Sequence, residues 1–328
     1  MTSPLIFILN SNEPFIYLES EVIEMKYKQF MSLFLALLPA LLLFSGCGKQ
    51  QVVQMVNEMS FSIDGIKEVT IAYDEEDMFF FQSETENLII QEYMSKNKNR
   101  YYANVTQERD SIQVCEGGKP LFQDGFVRYI EVYLPASYQE DIKITSTNGE
   151  IALSDLYLNL KSIRIDCTSG ILKIKQATAS DIYLSSTSGN LELGTLAADR
   201  IRIDTTQGTV VCARAEGTVS YTSTNGDAAF LSAAGSGTYQ VTNSGKLSVI
   251  YDDVTGDLSL YNKNGSIELV LPAALDFTFD AIVKNGSVVT NFQGELAVNG
   301  DTTHGIVGSN PAITIKTETK NGTIEVTQ

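Results

Sequence analysis

The stretch that decides the fold reads Ile163-Arg164-Ile165-Asp166-Cys167-Thr168-Ser169-Gly170-Ile171-Leu172-Lys173-Ile174. It returns as Ile182-Tyr183-Leu184-Ser185-Ser186-Thr187-Ser188-Gly189-Asn190-Leu191-Glu192-Leu193. Both copies alternate apolar and polar residues on either side of a small turn phrase. Such alternation places one face in a core and the other in water. Working outward, the phrase recurs as Thr147-Asn148-Gly149, Thr206-Gln207-Gly208 and Thr224-Asn225-Gly226. Altered copies follow at Asn243-Ser244-Gly245, Lys263-Asn264-Gly265 and Lys284-Asn285-Gly286, with a separate Lys320-Asn321-Gly322. The first eight glycines are 21, 19, 19, 18, 19, 20 and 21 residues apart. A period near 20 marks stacked repeats.

Counted from each glycine, positions −7, −5, +2 and +4 are apolar: Ile142, Ile144, Ile151 and Leu153, then Ile163, Ile165, Leu172 and Ile174. Ile182, Leu184, Leu191 and Leu193 repeat the pattern, as do Ile201, Ile203, Val210 and Cys212. Equal phase lets equivalent residues lie above one another. It predicts an all-β chain, a parallel β-solenoid of about 20 residues per coil with neighbouring coils ~4.8 Å apart. Asn-Gly is also a hairpin signal, so an antiparallel meander is the competing arrangement. The Ser and Gln variants of the phrase and the constant inward set favour the solenoid, with Ile165, Leu184 and Ile203 in single file. Before Gly245 the apolar pair, Tyr239 and Val241, is one residue out of phase. That slip predicts a tighter corner at Asn243-Ser244-Gly245.

The repeats are expected over 141–328, with a glycine-rich loop excursion on the surface at 291–310. Ile313, Ile315, Ile324 and Val326 then rebuild a strand pair that closes the far end. Residues 61–140 alternate in short runs (Val69, Ile71 and Tyr73; Ile112 and Val114; Ile130, Val132 and Leu134) and read as a strand-rich N-terminal cap. The Asp74-Glu75-Glu76-Asp77 cluster lacks the spacing of a calcium loop and reads as a solvated turn.

Ahead of these lies an export segment. Lys26 and Lys28 precede the apolar run Phe30–Phe44, which meets Ser45-Gly46-Cys47. The Cys after Ser-Gly resembles the bacterial lipoprotein signal. That resemblance implies a signal peptide over 25–46, lipidation of Cys47, attachment to the membrane through it, and an extracytoplasmic location. The run is shorter than the ~20 residues needed to span a bilayer. Residues 1–24 carry Glu19, Glu21 and Glu24 just before the signal and read as a mis-assigned upstream start, with translation beginning at Met25. Residues 47–60 read as a tether.

The net charge of −17 argues against nucleic acid as a partner, because phosphate neutralisation needs clustered Lys and Arg. His304 is the one histidine; it falls in the glycine-rich excursion and reads as a surface loop residue. No phosphate loop, dinucleotide fingerprint or metal-ligand spacing is present, so no cofactor and no metal are expected. Cys115, Cys167 and Cys212 are odd in number and form no disulfide framework. The latter two point inward by phase and read as small buried hydrophobes.

The outward positions carry one constellation. Arg164, Tyr183 and Arg202 share position −6 and should stack in a column with Lys143 beyond. Arg over an aromatic face contributes about 0.5–1 kcal/mol at exposed sites. The column reads either as a stabilising ladder or as a contact point for an anionic glycan or envelope polymer. Asp166 and Asp204, two coils apart, lie near 10 Å, around the upper limit for an inverting carboxylate pair. Each has an Arg two residues before it, which leaves neither free for the acid role.

Ile130-Glu131-Val132-Tyr133-Leu134-Pro135, leading into Ile142–Ile151 with its Thr-Asn-Gly and the recurring Thr-Ser-Gly, resembles a bacterial domain of unknown function, the adhesin-labelled DUF4097 family of envelope β-solenoids. The likeness covers roughly 61–328. It implies a non-enzymatic role in binding or scaffolding at the cell envelope and brings no catalytic residues. An envelope-stress sensor and a polysaccharide-active β-helix enzyme are the alternatives.

Overall fold

The computed structural model describes residues 52–121, 125–292 and 295–328. Ile163, Ile182 and Ile201 stand in parallel register, as do Ile165, Leu184 and Ile203, and all six are buried. The chain is therefore a parallel β-solenoid, and the meander is excluded.

The strands run in chain order as β1 (Gln54–Ser62), β2 (Glu68–Tyr73), β3 (Asp77–Gln82), β4 (Asn87–Met94), β5 (Asn104–Gln107), β6 (Ser111–Cys115) and β7 (Arg128–Leu134). Next come β8 (Asp141–Ser146), β9 (Glu150–Asn159), β10 (Ser162–Cys167), β11 (Ile171–Ser186), β12 (Asn190–Thr205) and β13 (Val210–Asn225). Then follow β14 (Ala228–Ser244), β15 (Leu247–Asn264), β16 (Ile267–Val270), β17 (Phe277–Thr290), β18 (Glu295–Asn299), β19 (Thr302–Val307) and β20 (Ile313–Thr327). A short 3-10 turn at Asn99–Tyr101 is the one described helical piece.

The long strands wrap the core on three sides. β11 pairs with β12 over Ile171–Ile174, again over Gln176–Ala179, and again over Asp181–Ser186. Its inward residues on those sides are Leu172 and Ile174, then Ala177, then Ile182 and Leu184. On the middle side Leu158, Ala177, Leu196 and Ala215 follow one another up the axis. Large over small lets neighbouring layers interdigitate without voids. Fully burying each Ile or Leu contributes about 1.5–3 kcal/mol, so stacking supplies the stability that no coil has alone.

Further along the axis the core turns aromatic. Phe230 lies edge-on to Tyr221 and Tyr239, with ring centres 5.7 and 5.0 Å away. The Tyr239 and Tyr251 hydroxyls are 2.9 Å apart. Gly237 makes room for them, since a Cβ there would meet the Tyr239 ring at 2.7 Å. The corner at Asn243-Ser244-Gly245 is wider, not tighter. Ser223 pairs with Val241 and Asn225 with Ser244, so Thr242 and Asn243 together oppose Thr224 in a bulge. Gly217 pairs with Gly235 and Tyr221 with Tyr239, so the strand itself keeps register and the extra residue falls in the corner.

Chain order and stacking order part company near both ends. β2 and β3 lie between β6–β7 and β8–β9, so they are coils of the stack and not a lid upon it. β20 lies between β15–β16 and β17, which makes it an interior coil rather than the closing pair. The far end is instead formed by β17 and the β18–β19 hairpin, which pairs antiparallel to the first half of β17. Thus the expected loop at 291–310 contains two strands, with Thr303 and Val307 buried. At the near end β4 pairs antiparallel to β7, and β1 to β4. Because β1 starts at Gln54, the residues expected as a tether over 47–60 are in strand from Gln54 onward. Residues 1–51, including the expected start, signal and Cys47, lie outside the described residues.

The acidic turn at 74–77 is not wholly solvated. Glu76 is 6 % exposed; its Oε1 accepts hydrogen bonds from Arg128 Nε at 3.1 Å and Nη2 at 2.8 Å. Arg128 also pairs with Glu116, and Lys119 Nζ sits 2.9 Å from Glu116 and 3.5 Å from Glu76. Burial raises the Glu76 pKa, against the pull of Arg128. Burial acts the same way on Glu116, but Lys119, the Asp74 amide and Arg128 outweigh it and hold that carboxyl below its ordinary value. The cluster ties β3, β6 and β7 together.

Candidate functional site

Parallel register in β10, β11 and β12 sets Arg164, Tyr183 and Arg202 at one height on the outer face. Lys143 on β8 continues the row beyond Arg164, and Ser220 on β13 beyond Arg202. The Arg164 guanidinium carbon is 4.3 Å from the centre of the Tyr183 ring, and that of Arg202 is 5.5 Å away. One aromatic ring is thus flanked by two cations. The three sequence-predicted residues come together as a column.

Carboxylates two residues along each strand engage the guanidinium groups. Asp166 accepts from Arg164 Nε at 2.7 Å and Nη2 at 3.1 Å, and Asp204 accepts from Arg202 Nε at 2.6 Å. Arg200 reaches across a coil to Asp181 at 2.5 and 2.9 Å. The hydrogen bonds from Arg200 hold the Asp181 carboxyl below its ordinary pKa. Those to Asp166 and Asp204 raise the two arginines further. These pairs are exposed and screened, so they add little stability. Their effect is to fix orientation. Arg164, Asp181, Ile182, Tyr183, Arg200 and Arg202 line a shallow depression of about 400 Å³. It offers a ring face for apolar or sugar surfaces and guanidinium N–H groups for anions.

Ser185 stands between Asp166 and Asp204 in the register, so the two carboxylates are two coil steps apart. Each is engaged by its own arginine. His304 is on strand β19 rather than in a loop, with Nδ1 2.6 Å from Asp280 Oδ1. Cys115 is half-buried, Cys167 and Cys212 are buried, and all three are free thiols. Burial pushes the Cys212 thiol up to about 12. Among the described residues no group of three or more His, Cys, Asp or Glu is placed to hold a metal ion. None of their helices is long and apolar enough to cross a membrane.

A second outward ladder escapes the sequence pattern. Asn264 pairs with Asn321, and Asn321 with Asn285. The residues just before them, Lys263, Lys320 and Lys284, therefore stack in that order, which cannot be read without knowing that β20 inserts before β17. Beside them runs a chain of amides. Asn285 Nδ2 donates to Asn321 Oδ1 at 2.8 Å, Asn321 Nδ2 to Asn264 Oδ1 at 2.6 Å, and Asn264 Nδ2 to the Asn243 carbonyl at 2.8 Å.

The family described as Toastrack DUF4097 matches residues 66–327. No curated protein matches the sequence. Among solved structures, a "putative adhesin" from Parabacteroides distasonis ATCC 8503 is 13% identical, with 84% of this chain and 98% of that one covered at a TM-score of 0.46. A "putative adhesin" from Parabacteroides merdae ATCC 43184 is 16% identical, covering 86% and 98% at a TM-score of 0.38. A "putative lipid binding protein" from Parabacteroides distasonis ATCC 8503 is 13% identical, covering 82% and 96% at a TM-score of 0.36. Likenesses of this degree carry no argument about function.

Proposed function

The chain belongs to the Toastrack DUF4097 family, and from that premise we propose that it is a non-enzymatic binding or scaffolding protein of the bacterial cell envelope, exported and anchored by lipid at Cys47. The observation that carries the binding role is the Arg164–Tyr183–Arg202 column. A ring flanked by two guanidinium groups, each fixed by its own carboxylate, is a rigid docking point on a long flat face. The ligand chemistry that suits it is an anionic glycan or related envelope polymer. The sugar rings pack on Tyr183, and the acidic groups reach guanidinium N–H groups not used by Asp166 and Asp204.

The Arg164→Ser/Arg202→Ser double variant tests the site. Retention of the protein on isolated cell wall should fall at least tenfold while the urea midpoint moves little; unchanged retention rejects the site. The anchor is tested separately. Cys47→Ser should shift the expressed protein from the membrane fraction to the soluble one, and a variant that stays membrane-bound rejects lipidation there.

A further inference from the structure

At several places on the solenoid, cations on neighbouring coils face carboxylates; Lys143 beside Arg164 is an exception, and there Asp166 engages the arginine. Lys173 meets Glu150 at 2.8 Å, Arg200 meets Asp181, and Lys246 meets Glu268 at 2.8 Å. This is the arrangement expected when residues sit ~4.8 Å apart across a ladder, since like charges directly opposite are destabilising. Lys263, Lys320 and Lys284 break the pattern. They are three like charges in consecutive coils, and none forms an ion pair with a carboxylate among the described residues. Glu318 is two residues before Lys320 on the same strand face, yet it does not come within ion-pair distance. The amide chain of Asn264, Asn321 and Asn285 holds the corners in register, which keeps the three lysine stems rooted side by side.

We propose that Lys263, Lys320 and Lys284 form a binding strip for a linear polyanion, an envelope polymer whose phosphate or carboxylate groups repeat along its length. A repeating anion matches a repeating cation one for one. The ammonium groups, on flexible four-carbon stems, can adjust to a ligand spacing somewhat longer than that of the coils. In a chain of net charge −17, a run of three cations without an ion-paired carboxylate is a local exception that a polyanion can occupy. The strip is separate from the arginine column. Arg202 is followed up the axis by Ser220, Thr238 and then Ser259, which is on the coil of Lys263, three steps and roughly 14 Å on at ~4.8 Å per step.

The test compares the full chain with its Lys263→Gln/Lys320→Gln/Lys284→Gln variant on three surfaces: immobilised long-chain polyphosphate, polygalacturonate, and phosphatidylglycerol vesicles. The variant should bind polymer at least tenfold more weakly. The slope of log K against log salt should fall by roughly 2, at about 0.7 per lost contact as for single-stranded polyanions. The three Lys→Arg replacements should retain binding, and the tenfold loss should recur when the lysine variant is compared in an Arg164→Ser/Arg202→Ser background, so the strip is read apart from the arginine column. Stronger binding to polyphosphate assigns a phosphate-bearing polymer, and stronger binding to polygalacturonate a carboxylate-bearing one. Equal binding by parent and glutamine variant, or binding to the vesicles alone, overturns the proposal.

Discussion

Replacing Gly170 by Ala probes the stacking directly. Gly170 turns the corner between β10 and β11 at φ +98° and lies against Gly149 of the adjacent coil. A Cβ there would stand 2.9 Å from both the carbonyl carbon and the amide nitrogen of Gly149, and nearer still to its oxygen. Carbon pairs rest at about 3.5–4.0 Å, so the two coils must part by roughly 1 Å. That motion stretches the Ile171 N–H bond to Gly149 O, now 3.2 Å, and the Ser169 N–H bond to Thr147 O, now 2.9 Å. Losing both costs about 2 kcal/mol net. The left-handed backbone adds about 1–2 kcal/mol for a residue with a Cβ. The sum is about 3–4 kcal/mol. Gly65 supplies the control: its φ is +76°, but nothing lies within 4 Å of a Cβ there, so only the backbone part applies. Urea unfolding followed by far-UV circular dichroism should therefore show Gly170→Ala losing about 2 kcal/mol more than Gly65→Ala. Equal losses would refute the close approach of coils at the glycine corner.

Three further outcomes are expected. Tyr239→Phe leaves the Tyr251 hydroxyl buried without its partner and should cost about 1–3 kcal/mol, while the double Phe variant recovers most of it; a double-mutant cycle with no coupling would contradict this. Arg128→Met leaves the two carboxylates of Glu76 and Glu116 to share the partly exposed Lys119 and should cost about 3–5 kcal/mol by urea titration, with a loss under about 1 kcal/mol counting against the ion cluster. Burial raises the Tyr251 phenol and the Cys212 thiol to about 12 from ordinary values of 10.0 and 9.0. The folded chain thus holds these protons to higher pH than the unfolded one. Their contribution is whole below the unfolded values and is lost as pH climbs toward 12. The urea midpoint should hold from pH 7 to 9 and then fall, by up to about 1.4 kcal/mol per pH unit per group. Cys212→Ala should flatten the first part of that fall, and a midpoint level through pH 11 would dispose of the argument.

The coil and its phase were legible because alternation around a repeated turn is a local property. Ile165, Leu184 and Ile203 announce their facing from their immediate neighbours. Which coil lies beside which is not local. Lys320-Asn321-Gly322 carries the same turn chemistry as Lys284-Asn285-Gly286, and nothing in either phrase states that the later one sits nearer Gly265. The ion cluster was hidden for a similar reason, since Glu76 and Arg128 are 52 residues apart. The β18–β19 hairpin, by contrast, had a local sign. Gly300-Asp301, the two residues between Asn299 and its partner Thr302, is a two-residue hairpin signal, masked by the density of other glycines around it. The arginine column was readable because β10, β11 and β12 are consecutive both in the chain and in space. The lysine column was not, because its middle member arrives out of turn.

That displaced strand bears on how such a molecule can be made and how it can change. β20 needs a partner on each flank, so β17 cannot take its final place against β15–β16 while the later residues are still being synthesised or threaded across a membrane. Assembly of this end must wait for the whole polypeptide, or proceed by docking a preformed β17–β20 unit. The same wiring constrains growth of the gene. A duplicated lap added after Thr327 would find both edges of its neighbour taken, whereas one inserted among residues 141–264 could slot in and leave the two locked ends untouched.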